Sequence, residues 1–169
     1  MSTTTAVGLD EYLRARPRLF RIATRIVGNP HEAEELVQDV WVRWQRADRQ
    51  AVADPQAFLS TAVSRLAINV VQSARRRHET CAEPWLPDER PAGGVDPHAH
   101  AERREEYHTA VRLLSERLSP SERATYVLRE GYDYPYRQIA ETLRIGAPSA
   151  RQLVKRARDR LADLAAQPG

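Results

Sequence analysis

Between Ser149 and Arg156 the chain places Ser149, Arg151, Gln152, Lys155 and Arg156 at spacings that suit one side of a helix. On a wheel of about 100° per residue, Gln152, Lys155 and Pro148 point nearly opposite the apolar positions Ala150, Leu153, Val154, Ala157 and Leu161, with Arg151, Ser149 and Arg156 on the flanks. Hydroxyl, amide, guanidinium and ammonium groups in that arrangement are donors for phosphate oxygens and base edges. From Arg144 to Arg160 there are six cations against one anion, Asp159, which leaves too few partners for a salt-bridged surface helix. An anionic partner is expected, and the pattern reads as a groove-facing surface.

The elements that hold this face are legible around it. Residues Tyr136 to Arg160 read as two short helices broken by a turn, a helix-turn-helix. Ile139, Ala140 and Leu143 give the first helix its apolar side, Arg144, Ile145 and Gly146 make the turn, Gly146 caps the second helix, and Pro148 falls in its first turn. Upstream, Tyr107, Ala110, Val111, Leu114 and Leu118 mark a helix beginning near Ala101. Ser119, Pro120 and Glu122 then form a capping box before a short helix whose inner face is Ala124, Val127 and Leu128. Gly131 is expected in the left-handed conformation at its end, followed by Tyr132, Tyr134 and Tyr136 around Pro135. Four helices make this unit.

A second helical unit precedes it. Residues 1 to 8 read as a loose tail, after which Leu13, Leu19, Phe20, Ala23, Ile26 and Val27 repeat at helical intervals until Gly28, Asn29 and Pro30. From His31 to about Arg46 the apolar positions are Ala33, Leu36, Val37, Val40, Trp41 and Trp44, with Glu32, Glu34, Glu35 and Asp39 on the early turns. Residues 47 to 53 form a polar loop, and Asp54 with Pro55 starts a third helix through Phe58, Leu59, Ala62, Val63, Leu66, Ala67, Val70, Val71 and Ala74 to Arg75, Arg76 and Arg77. Three apolar stripes make one bundle. The boundaries expected are therefore 9–77 and 101–166, with 78–100 a flexible Pro- and Gly-rich linker on which Trp85 and Leu86 dock against a neighbouring surface. The fold class is all-α.

A chain of 169 residues that is 41% hydrophobic and 29% charged fits one ordinary domain or two small helical ones. Lys155 is the only lysine, and arginine forks suit phosphate and guanine. Cys81 is the only cysteine, so no internal disulfide forms, and the N-terminal stretch lacks a charged-then-apolar leader pattern. A cytoplasmic protein without a membrane span is expected, since no apolar run approaches the ~20 residues that a span requires. His78, Cys81, His98 and His100 have spacings seen in metal sites, but one thiolate on a Pro-rich tether makes solvated side chains the better reading. Glu32, Glu34, Glu35 and Asp39 lack the Glu-x-x-His companion of a carboxylate-bridged metal bundle. No Gly-rich phosphate loop, nucleophile elbow or Ser/His/Asp set is present, so neither an enzyme nor a cofactor is expected.

With two helical units on a tether in view, the stretches LFRIATRIVGNPHEAEELVQDVWVRW and DPQAFLSTAVSRLAINVVQSARRR resemble region 2 of the extracytoplasmic-function sigma factors. LSPSERATYVLREGYDYPYRQIAETLRIGAPSARQLVKRARDRL resembles their region 4. The resemblance covers most of residues 18 to 162, and two separate blocks in the right order make it more specific than a lone helix-turn-helix. It implies a factor that directs core RNA polymerase to promoters and assists melting. Glu34, Glu35, Gln38, Asp39 and Trp41 would then meet the β′ clamp helices, with the β flap and an anti-sigma factor as further partners. Arg46, Arg49, Asp54, Phe58, Arg65, Asn69, Gln72, Arg75 and Arg76 would meet the opened -10 element of promoter DNA, and Ser149, Arg151, Gln152, Lys155 and Arg156 the -35 element. Phe58 also fits an ordinary core position. The EPWLP and YDYP blocks are most similar to a subgroup that carries a SnoaL-like domain after region 4, and the sequence to Gly169 contains no such domain. Two positions depart from the family's pattern: Arg144 stands where a turn glycine is common, and Asn69 and Val70 replace an acidic and a basic residue.

Two other classes use some of the same residues. A dimeric helix-turn-helix regulator on a palindrome would use the same reading helix, but would not call for the Arg-rich end of the third helix or the long tether. An adaptor or anti-sigma protein without DNA contact would leave the cationic face without a role.

Overall fold

The computed structural model describes residues 2–76 and 97–167, with side chains placed for 8–74 and 102–167. No strand occurs among these residues, and the order is α1 (Ser2–Val27), α2 (Pro30–Arg46), a 3-10 turn (Arg49–Ala51), α3 (Pro55–Arg76), α4 (Pro97–Arg117), α5 (Pro120–Tyr126), a π-helical turn (Val127–Gly131), α6 (Tyr136–Leu143) and α7 (Ala147–Ala165). The architecture is all-α, in the two helical units that the periodicities predict.

In the first unit, α1 ends where Gly28 takes φ 78°, a conformation that favours glycine. The next residue starts α2: the Asn29 side chain accepts from the His31 and Glu32 amides at 2.9 and 3.4 Å, and Pro30 occupies the first turn. Asp54 caps α3 in the same way, its carboxylate accepting from the Ala57 amide at 3.1 Å. The three helices close on Leu19, Ile22 and Ile26 of α1, Val37, Val40 and Trp44 of α2, and Leu59, Val63 and Ala67 of α3, all fully buried.

The expected loose tail is instead the beginning of α1. Its local propensity is modest, but at Gly8 the segment is packed, and packing overrides propensity. Gly8 is buried, its carbonyl accepts the Trp44 indole N–H at 2.8 Å, and the Arg49 guanidinium lies where a β-carbon at residue 8 would stand.

The second unit opens with α4 at Pro97, four residues before the expected start. The capping box at Ser119 and Glu122 forms in both directions, at 3.3 and 3.0 Å. Gly131 does not take the left-handed conformation. The chain passes through the π turn, and the positive φ falls on Asp133 at 55°. The wider turn keeps Val127 and Leu128 buried, and the Tyr134 amide donates to the Leu128 carbonyl at 3.0 Å.

The two units lie against each other. Buried residues form one continuous cluster from Leu19, Ile22 and Val63 to Ala124, Val127, Leu128, Ile139 and Ala150. Arginines of α1 line the rim: Arg25 donates to the Tyr132 hydroxyl at 3.0 Å and sits 5.5 Å from the rings of Tyr107 and Tyr132, while Arg18 is 5.0 Å from the Tyr132 ring. The linker expected at 78–100, with Trp85 and Leu86 and the His78 and Cys81 pair, lies outside the described residues up to 96. The side chains of His98 and His100, in the first turns of α4, also lie outside.

Candidate nucleic-acid interface

The helix-turn-helix is held by its turn. At the end of α6, Arg144 adopts the left-handed conformation (φ 56°), its amide donates to the Glu141 carbonyl at 3.4 Å, and the Ile145 amide donates to the Ala140 carbonyl at 3.0 Å. This is the Schellman pattern, built here on an arginine where glycine is favoured. Gly146 then caps α7, with Pro148 in its first turn.

Ala150, Val154 and Ala157 bury one side of α7 against its neighbours. Two ion pairs fix its far half: Arg158 with Glu130, at 2.6 Å from Nε, and Arg160 with the buried Glu122 at 3.3 Å. The bond to Glu130 holds the Arg158 guanidinium above its ordinary pKa. Ser149, Arg151, Gln152, Lys155 and Arg156 are all exposed, so every residue assigned to the -35 side stands on one continuous face of the first turns. Arg151 also lies 5.9 Å from the ring of Tyr136, and Arg129 lies 4.4 Å from the same ring.

The residues assigned to the -10 side are more scattered. Arg46 is exposed at the end of α2, Arg49 packs over Gly8, and Asp54 is engaged as the α3 cap. Phe58 is neither core nor free: its ring centroid is 5.5 Å from that of buried Trp44, and 37% of the residue remains exposed. Arg65, Asn69 and Gln72 follow one another along α3, with Asn69 exposed and Gln72 half-buried. Arg65 donates to the Thr142 and Glu141 carbonyls of α6 at 3.2 and 3.1 Å, beside an open cleft of about 440 Å³ between the units. The side chains of Arg75 and Arg76 lie outside the described residues.

On the acidic side of α2, Gln38 and Asp39 are exposed, Glu34 pairs with Arg16 of α1, and Glu35 faces His31 at 3.7 Å. Trp41 is half-buried, 4.8 Å from the Tyr12 ring. The arginine–tyrosine rim between the units is what sequence reading missed. The cluster Tyr132, Tyr134, Tyr136 was visible as a composition signal, but its partners Arg18 and Arg25 lie more than a hundred residues away.

These features define an all-helical protein with a helix-turn-helix in its second unit. The sigma-70 region 2 family matches residues 12–77, and the sigma-70 region 4 family matches residues 108–161. The chain belongs to the sigma-70 family, in its extracytoplasmic-function group. It is 38% identical over 152 residues to the ECF RNA polymerase sigma factor SigJ of Mycobacterium tuberculosis, covering 89% of this chain and 48% of that one. Against the probable ECF RNA polymerase sigma factor SigI of the same species, identity is 34% over 148 residues, 86% of this chain and 51% of that one. The crystal structure of M. tuberculosis SigJ superposes with a TM-score of 0.64 at 35% identity, covering 92% of this chain and 52% of that one. The sigma factor RpoE, from its complex with the anti-sigma factor NepR of Bartonella quintana, shares the fold: TM-score 0.62 at 20% identity, covering 95% and 97%. The chain spans about half the length of the SigJ and SigI relatives.

Proposed function

We propose that this chain acts as an RNA polymerase sigma factor, bringing core polymerase to particular promoters and assisting their opening. The observation that carries the reading is the exposed row Ser149, Arg151, Gln152, Lys155 and Arg156 on the first turns of α7, inside the segment matched by region 4. A second helix-borne surface, in the segment matched by region 2, supports it. In this reading residues 9–77 hold polymerase and the -10 element, 101–166 hold the -35 element, and 78–100 join them.

The division of labour follows from chemistry. Duplex recognition needs donors rigid enough to sit in a groove, and α7 offers them on a helix anchored at Glu130 and Glu122. Opened strands need cations for the backbone and ring faces for unpaired bases. Arg46, Arg65, Asn69, Gln72 and the exposed part of Phe58 supply these on the first unit. Arg65 gives Nε and Nη2 to the Thr142 and Glu141 carbonyls, and the exposed guanidinium has further N–H donors for a strand phosphate. The exposed carboxylates Glu35 and Asp39, with Glu34, Gln38 and Trp41 beside them, are assigned to the β′ clamp helices of core polymerase. The β flap of core polymerase and an anti-sigma factor are further partners. The protein contributes recognition, and the polymerase contributes the catalysis. Among the described residues no helix is long and apolar enough to cross a membrane.

The test is transcription in vitro from a genomic promoter pool with core polymerase, with and without the chain. Promoter-specific initiation should depend on the chain, and should be lost in Glu35→Lys/Asp39→Lys, whose helical circular dichroism stays that of wild type because both carboxylates lie off the buried stripe. Promoter binding by a dimer of the chain with no requirement for polymerase would replace this reading with that of a conventional regulator.

A further inference from the structure

We propose that Tyr136, which lies off the reading helix, is the positioning residue for Arg151 and thereby sets base discrimination on the -35 side. The inference rests on the assignment of Arg151 as a base reader.

An exposed arginine on a helix samples many rotamers, and fixing the fork on a guanine edge costs rotamer entropy. A group that narrows those rotamers beforehand strengthens discrimination without touching the base. Tyr136 is placed to do this. It stands at the first residue of α6, half-buried where the following apolar residues Ile139 and Ala140 are fully inside, so part of its ring stays available. Arg151 is held 5.9 Å from its centroid. The ring itself is held: Arg129 sits 4.4 Å from it, and the Arg129 Nη1 is tied to the Tyr134 carbonyl at 3.0 Å. A chain of contacts therefore runs from the π turn, through Arg129 and the Tyr136 ring, to the side chain that faces the groove. The ring's π face supplies the attraction to both guanidinium groups, so the positioning needs the ring and not the hydroxyl.

The measurement is base preference of the holoenzyme on a promoter library in which every -35 base pair is varied. Tyr136→Ala should lower discrimination at the base pair read by Arg151 about two- to five-fold, the worth of one exposed cation–π contact, and leave the other positions unchanged. Tyr136→Phe should keep the wild-type profile. In an Arg151→Ala background, Tyr136→Ala should change nothing further at that base pair. Should Tyr136→Ala fold poorly, Tyr136→Leu fills the space without a π face and should show the same loss. A profile unchanged in the alanine or leucine variant, or a drop shared equally by all sequences, overturns the positioning role while leaving Arg151 as reader. An unchanged profile in Arg151→Ala alone overturns the underlying assignment, and with it this one.

Discussion

The two surfaces proposed to face DNA are built differently. The face on α7 is finished in the free protein: its donors stand together, exposed, on a helix whose opposite side is buried and whose far half is pinned by Glu130 and Glu122. The face on the first unit is distributed over the end of α2, the 3-10 turn and α3, and several of its members are engaged, with Arg49 on Gly8, Asp54 on the α3 cap and Arg65 on the carbonyls of α6. A duplex presents a fixed shape, and a rigid helix suits it. An opened strand does not exist until melting, so side chains that are committed elsewhere beforehand lose little by waiting. The difference matches the order in which the two elements become available to a sigma factor.

Substitution on the finished face should give the largest effect, and only on recognition. Arg151→Ala is expected to cost about 1–3 kcal/mol at one -35 base pair while other positions keep their preference. Lys155→Ala should weaken all sequences alike and lower the salt slope. Lys155→Ala should leave the denaturation midpoint of the free protein unchanged, because the side chain is exposed, and Arg151→Ala should lower its stability by no more than the contact with the Tyr136 ring, about 0.5–1 kcal/mol; a larger shift would mean that the face also serves the fold.

Arg65 should behave in the opposite manner. Losing its two bonds to α6 is expected to cost the free protein about 1 kcal/mol, seen as a lower denaturation midpoint and faster amide exchange in α6. The same Arg65→Ala holoenzyme should bind an opened -10 strand less well. Unchanged stability would make the first-unit face as uncommitted as α7 and remove the contrast.

The smallest effect concerns the turn that sets the angle of α7. A non-glycine residue in the left-handed region carries about 1–2 kcal/mol of strain, partly offset by the entropy that glycine loses on folding, about 0.5–1 kcal/mol. Arg144→Gly should therefore stabilise the protein by about 0.5–1 kcal/mol, with no change in base preference.

The α7 face was legible because a helix wheel needs no tertiary information: Ala150, Val154 and Ala157 had to go inward, and the donors took the other side. The capping box at Ser119 and the Asp54 cap were equally local. The features that sequence reading missed depend on distant partners. The helix includes Gly8, where a loose tail is expected, and Trp44 and Arg49 pack on that residue, while the left-handed residue fell on Asp133 because the π turn serves burial of Val127 and Leu128. The joint apolar core and the grip of Tyr132 on Arg25 join residues 107 positions apart. No local pattern reports such a contact.

The central claim, that one chain carries two faces for two promoter elements, is tested most directly by site-specific crosslinking in the open holoenzyme complex. A photoreactive amino acid at Gln152 should crosslink to duplex DNA at the -35 element, and one at Asn69 to the opened strand at the -10 element, the second only when core polymerase is present and the promoter has melted. Crosslinks from both positions to the same duplex segment, or an Asn69 crosslink that forms without polymerase, would contradict the account.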